Sequence, residues 1–158
     1  MNPRTLYSAA AMARSATFCV VFADLLLLSN CVTSLIVAPD DRHSVMLFAL
    51  QLAHLFTLLL GFTVVVFNQR ARAMANALYI AYLIAFVADI VGTIGHGILA
   101  YNAESTHELR NEIVYVVLLG SMVLIDSVGI YFVDRLRDAY ALEQRYLEQL
   151  AARAVDSR

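Results

Sequence analysis

Six polar side chains stand inside stretches of sequence that are otherwise apolar. They are Asp24, Gln51, His54, Asp89, His96 and Asp126. Carboxylates and imidazoles can exchange protons, bind cations or hydrogen-bond one another. A charged side chain at the centre of a bilayer costs about 3 kcal/mol or more. Polar groups retained in such a setting predict a functional or packing role with a partner side chain.

Four of these residues are predicted to lie at one depth. At a rise of about 1.5 Å per residue, Asp24 and Asp126 each lie about 14 residues below the predicted outer ends of their apolar stretches. Asp89 lies about 12 residues below its outer end and His54 about 10. The sequence therefore predicts a central layer of three aspartates and one histidine. Because three carboxylates would repel one another, we expect one or two of them to be protonated or paired with His54.

Several chemistries could use the central layer. A proton relay suits Asp and His side chains. A divalent metal also suits carboxylates with an imidazole, but no Glu-x-x-His pair supports such a site. A b-type haem needs two histidines at one depth, whereas His54 and His96 differ in depth by about five residues, or some 7 Å. Gln51 and His96 lie nearer the outer face, roughly 7 and 5 residues down. We therefore expect cross-helix hydrogen bonds that fix packing. The sequence predicts no catalytic residue, metal or cofactor, and leaves a bound lipid as the open ligand class.

Four apolar stretches position these residues, approximately 16–38, 44–67, 76–101 and 112–133. Each is long enough to cross a bilayer, which needs about 20 residues of helix. The chain has 158 residues, 61% of them hydrophobic, and a mean hydropathy of +0.70. We expect an all-α membrane protein and no enzyme. Its predicted parts are an inside segment, 1–15, a four-helix transmembrane bundle, 16–133, and an amphipathic C-terminal helix, 134–158.

The distribution of arginine predicts the orientation in the membrane. Arginines precede the first span, fill the second loop and follow the fourth span, at Arg4, Arg14, Arg70, Arg72, Arg135 and Arg137. The positive-inside rule then places both termini on the cytoplasmic or matrix side. The first sixteen residues contain no acid and are rich in Ala, Ser and Arg, which favours the mitochondrial inner membrane. With 11 basic and 13 acidic residues, nothing indicates a nucleic-acid partner.

Small residues share helix faces with the polar ones. Gly92, Gly95 and Gly97 surround His96, and Gly129 follows Asp126 in the fourth stretch. Glycines let helix backbones approach closely in a membrane. The sequence predicts helix packing or lipid contact at these four positions.

The polar helix at 134–158 carries a second apolar series, at Leu136, Tyr140, Leu147 and Leu150. Their spacing places them along one helix face, although Glu143 interrupts the series. One interpretation is a solvated extension of the fourth span. We favour a docking face for a neighbouring subunit, because isolated helices of this length are marginal in water without packing.

The sequence thus favours a non-catalytic accessory or structural subunit of a larger membrane complex, plausibly a mitochondrial respiratory-chain or ATP synthase assembly in energy transduction. Its partners would be other membrane subunits and lipids. The alternative is a small proton or cation transporter or channel that uses the intramembrane Asp and His residues. A receptor-like or trafficking protein with four spans is a third class, less favoured because its outer loops would be short.

Overall fold

The computed structural model is all-helical over the residues that it describes. It describes the backbone of residues 3–37, 44–65 and 72–156, and the side chains of residues 8, 10–29, 32, 36, 52–65 and 72–153. The helices are α1 (Pro3–Val37), α2 (Ser44–Val65), α3 (Arg72–Tyr101) and α4 (Thr106–Asp156). The all-α prediction is confirmed for this part of the chain.

Three of the helices are long and apolar enough to cross a membrane. The segments that meet this criterion are Ala10–Ser29, Arg72–Tyr101 and Thr106–Arg153. The fourth apolar segment, Leu52–Val65 in α2, is shorter over the side chains that are described. Length and composition therefore fit a helical membrane protein at three of the four predicted spans.

The helices extend beyond the predicted spans at the N-terminus and the C-terminus. Helix α1 begins at Pro3 instead of near residue 16, and proline is well suited to the first turn of a helix. Helix α4 runs without interruption for 51 residues, about 76 Å. Residues 134–156 are therefore the continuation of α4 and not a separate helix, because no glycine or proline breaks the helix there.

The four helices form a ring in which each packs against two others. Helix α1 packs against α2 and α4, and α3 packs against α2 and α4, while among the described residues no Cα atoms of a diagonal pair lie within 8 Å of each other, so that the diagonal helices meet only through side chains. Short connections place successive helices antiparallel. The bundle then has a turn end, at residues 102–105, and a terminal end, where α1 and α3 begin.

A cap positions the start of α4 at the turn end. The Glu108 backbone N–H donates to Ser105 Oγ at 3.1 Å, and the Glu104 backbone N–H donates to the Glu108 carboxylate at 3.3 Å. This resembles the reciprocal arrangement of a capping box. It begins α4 so that Glu112 lies just inside the turn end, beside α3.

The apolar core is largest towards the terminal end. It brings together residues of all four helices, namely Ala13, Val20, Val64, Val65, Ala75, Leu78, Tyr82, Val133, Leu136 and Tyr140. Leu136 is fully buried and Tyr140 is 4% exposed. The two residues predicted to dock a partner therefore pack into the bundle's own core, to which the helical segment of α1 before residue 16 contributes Ala13.

Glycine permits close helix contacts on the terminal side of the central layer. A Cβ atom at Gly129 would lie 2.7 Å from Tyr82 Cε1, and one at Gly61 would lie 2.6 Å from Val21 Cγ2. At Gly97 a Cβ atom would meet nothing within 4 Å, so the expected close packing is not found there within the chain. Gly92 is buried and Gly95 is half-buried.

Candidate functional site

The central layer draws one side chain from each helix. Asp24 comes from α1, His54 from α2, Asp89 from α3 and Asp126 from α4. Their exposed fractions are 0%, 1%, 0% and 0%. Each residue lies on the inward face of its helix, as the predicted depth and spacing require. The structure therefore brings together the four residues that the sequence placed in one layer.

His54 lies between two carboxylates of neighbouring helices. Its Nδ1 atom is 3.0 Å from Asp24 Oδ1, and its Nε2 atom is 2.9 Å from Asp89 Oδ2. An imidazole in this position links α1, α2 and α3 through one side chain. The predicted pairing of aspartates with His54 is present, and it uses both ring nitrogens.

Asp126 completes the layer without sharing in these two hydrogen bonds. One ligand atom from each of Asp24, His54 and Asp126 lies within 4.8 Å of the others. Both Asp126 carboxylate oxygens are buried and make no hydrogen bond to a described residue. The same holds for Asp24 Oδ2 and Asp89 Oδ1. A buried polar network that is only partly satisfied is costly, because a low dielectric strengthens every missing interaction.

Apolar packing adjoins the central layer on both sides. Towards the turn end, Leu119 and Met122 are buried and pack with Leu27 and Ala88. Towards the terminal end, the fully buried Tyr82 belongs to the larger core. Thr57 and Thr93, on the helix turns next to the layer, donate to carbonyl oxygens of their own helices. Their hydroxyls are thereby satisfied within their own helices.

A second histidine–carboxylate contact lies nearer the turn end. His96 Nδ1 in α3 is 2.6 Å from Glu112 Oε2 in α4, and the ring centroids of His96 and Tyr115 are 5.0 Å apart. His96 is 1% exposed and Glu112 is 8% exposed. We call His96 and Glu112 the outer pair. It joins two helices where the central layer joins four.

The sequence did not identify the partner of His96. Glu112 stood at the predicted boundary of the fourth span, where an acidic residue is ordinary. The available signal was depth, because His96 and Glu112 both lie about one and a half turns from the connection between α3 and α4. The prediction for Gln51 lies outside the described side chains.

The terminal end of α4 carries apolar side chains that remain exposed. Leu147 and Leu150 continue the helix face of the buried Leu136 and Tyr140, and they are 53% and 43% exposed. Leu142, on a different face of the same helix, is 39% exposed. The face that packs into the bundle core as far as Tyr140 therefore continues without cover within this chain.

The arrangement is chemically suited to holding positive charge. Three carboxylates surround one imidazole in a region without solvent exposure, and such a set can bind protons or a cation. Ser121 and Ser127 donate to carbonyl oxygens of their own helix, four residues earlier. Helix α4 therefore contributes the Asp126 carboxylate to this layer, while the Ser121 and Ser127 hydroxyls are used within the helix.

No protein family model, curated protein or solved structure matches this chain.

Proposed function

We propose that this chain is a non-catalytic accessory subunit of a larger membrane protein complex, and that the end of α4 docks onto a neighbouring subunit. One observation carries the proposal. The apolar face of α4 is buried through Tyr140 and continues, exposed, through Leu147 and Leu150. Contiguous apolar surface that stays exposed can mark a protein–protein interaction site, and this face extends the buried one along the same helix.

The proposed setting is a four-span bundle in a bilayer, with both termini on the cytoplasmic or matrix side. Three helices meet the length and composition expected of spans. Helix α2, with 22 residues and about 33 Å, would supply the fourth. Arginines at the terminal end agree with the positive-inside rule. The mitochondrial inner membrane, with a respiratory-chain or ATP synthase assembly as the complex, rests on the acid-free N-terminal composition.

The central layer fits this role because it stabilises the packing of the four helices against one another. His54 joins three helices through two hydrogen bonds, and the apolar residues on both sides are those of a packed interior. A water-filled path across the bundle would need polar side chains above and below the layer. Leu119 and Met122 occupy the interior between the layer and the outer pair instead.

The experiment is extraction from native membranes in mild detergent, followed by native size separation and mass spectrometry of the proteins that travel with this chain. We expect wild type to migrate with a large complex. The variant Leu147→Glu/Leu150→Glu should be inserted in the membrane at a normal level but migrate alone. Leu142→Glu is the matched control, since it introduces a charge at a similarly exposed leucine on another face of α4.

Two results would contradict the docking proposal. The first is a wild-type chain that migrates alone or as a small homo-oligomer. The second is a double variant that stays in the complex to the same extent as Leu142→Glu. Loss of the complex in both variants would point to general disruption of α4, and a single variant, Leu150→Ala, would then measure the contribution of the leucine without adding charge.

A small cation or proton transporter is the second candidate, favoured by the four carboxylate oxygens of the central layer that make no hydrogen bond to described residues. Its test is ion flux in liposomes that contain the purified chain. Flux that Asp89→Asn abolishes, with insertion unchanged, would favour this candidate. Absence of flux above empty liposomes would leave the accessory role.

A further inference from the structure

The central layer has the composition and spacing of a metal site. We propose that it binds one divalent transition-metal ion through Asp24, His54 Nδ1 and Asp126, with Asp89 orienting the imidazole. This inference concerns the interior of the bundle and does not depend on what the end of α4 contacts. It also departs from the expectation, drawn from the sequence, that the chain holds no metal.

The distances among the three proposed ligands fit one ion. Their ligand atoms all lie within 4.8 Å of one another. His54 Nδ1 and Asp24 Oδ1 are 3.0 Å apart. Two ligands that bind an ion at a right angle, each at about 2.1 Å, lie about 3 Å from each other. The spacing seen as a hydrogen bond is therefore also the spacing of two adjacent ligands, and only small side-chain shifts would admit the ion.

The environment of Asp126 is the observation that points to a ligand. It is fully buried, and both of its carboxylate oxygens make no hydrogen bond to a described residue. Burying an ionised carboxylate without a partner is costly enough that such groups are normally paired or coordinate a metal. A cation between Asp126 and Asp24 would satisfy oxygens of both. It would also draw α4 into the network that joins the other three helices.

Asp89 supplies the arrangement that usually supports a metal-binding histidine. Its Oδ2 atom lies 2.9 Å from His54 Nε2. If the imidazole donates its Nε2–H to this carboxylate, the Nδ1 lone pair is left for the metal. Carboxylates behind metal-binding histidines hold the tautomer and the ring orientation in this way, and their loss typically weakens metal affinity about 10- to 100-fold.

Charge and ligand type narrow the identity of the ion. A protonated imidazole would offset one of three aspartate charges, whereas a divalent ion offsets two and leaves the imidazole neutral. One nitrogen and carboxylate oxygens suit Mn²⁺, Fe²⁺, Co²⁺ and Zn²⁺. Mg²⁺ and Ca²⁺ prefer oxygen ligands throughout, and Mg²⁺ keeps several waters, which fits a dry apolar interior poorly. The proposal is therefore a first-row transition-metal ion.

The test uses the full chain, purified in detergent in the presence of a chelator and then loaded with Zn²⁺ or Co²⁺. We expect one metal ion per chain by elemental analysis after gel filtration. Asp126→Asn should weaken binding at least tenfold. Asp89→Asn should weaken it about 10- to 100-fold while the metal-free protein unfolds as wild type does, which separates an orienting role from a structural one.

His96→Gln is the matched control, because it removes the other buried histidine–carboxylate contact and leaves the central layer intact. It should retain one ion per chain with wild-type affinity. The proposal is overturned if wild type retains no metal, or if Asp126→Asn retains as much as wild type.

If Asp126→Asn cannot be purified as a folded protein, X-ray absorption spectroscopy of the Zn²⁺-loaded wild type tests the proposal by identifying the metal's ligands. A first shell of one imidazole with oxygen ligands supports the proposal, since the layer contains a single histidine and no cysteine. A shell with sulfur or with two or more imidazoles places the ion elsewhere on the chain and overturns it.

Discussion

The central layer and the outer pair are both buried contacts between histidine and carboxylate, yet they differ in charge balance. In the outer pair, one imidazole faces one carboxylate, and the contact joins α3 to α4. In the central layer, one imidazole faces three carboxylates drawn from the other three helices. Four oxygens of the layer make no hydrogen bond to described residues.

Both contacts join helices, but only the central layer has carboxylate oxygens left over to bind a cation. A histidine with one carboxylate can balance a single negative charge and hold two helices together. A histidine with three carboxylates cannot satisfy them all, because an imidazole has only two ring nitrogens. The surplus of acceptors in the central layer is what a cation would relieve, and the outer pair offers no such surplus.

Removal of each histidine should have the largest and most unequal effects. His54→Leu leaves the buried carboxylates of Asp24 and Asp89 without their shared hydrogen-bond partner and should lower the free energy of unfolding by about 3 to 5 kcal/mol. His96→Leu leaves a single carboxylate that is partly exposed, so we expect a loss of about 1 to 2 kcal/mol. Reversible unfolding in mixed micelles measures both. Equal losses would mean that the two contacts do not differ as proposed.

Two glycine substitutions compare how tightly the helices pack beside the central layer and beside the outer pair. Gly129→Ala places a Cβ atom 2.7 Å from the ring of the buried Tyr82, next to the central layer. We expect this overpacking to lower the free energy of unfolding by about 1 to 3 kcal/mol. Gly97→Ala, beside the outer pair, meets nothing within 4 Å. It should leave stability unchanged or raise it by up to about 1 kcal/mol, since alanine favours helix.

The same unfolding measurement tests the glycine pair, and each variant serves as the control for the other. A Gly97→Ala variant as unstable as Gly129→Ala would indicate that the turn end is covered more closely than the contacts within this chain account for. A bound subunit or lipid at Gly97 would be the next thing to seek.

Neutral substitutions of one carboxylate in each region should have the smallest effects, and of opposite sign. In the presence of a chelator, Asp126→Asn removes one of the surplus charges and should raise the free energy of unfolding by about 1 kcal/mol. Glu112→Gln weakens the hydrogen bond between His96 Nδ1 and Glu112 Oε2 and should lower the free energy of unfolding by about 1 to 2 kcal/mol. Effects of the same sign in both variants would contradict the charge imbalance assigned to the central layer.

Much of the central layer could be predicted because it depends on two local quantities. Helix periodicity sets the direction in which a residue points, and distance along the helix sets its depth. Asp24, His54, Asp89 and Asp126 agree in both, so their meeting followed from the sequence. The outer pair was not predicted, because Glu112 lies at a span boundary, where an acidic residue is common and does not indicate a buried partner.

The sequence by itself determined that the described part of the chain is helical, with long apolar helices and one layer of Asp and His side chains. Only the tertiary structure decided which helices are neighbours around the ring. That order puts His54 between Asp24 and Asp89 and leaves Asp126 without a hydrogen bond to a described residue. It also buries Leu136 and Tyr140 in the bundle's own core while Leu147 and Leu150 stay exposed. The physical reason is that periodicity gives each helix an inward face, whereas the partner of that face depends on how all four helices assemble.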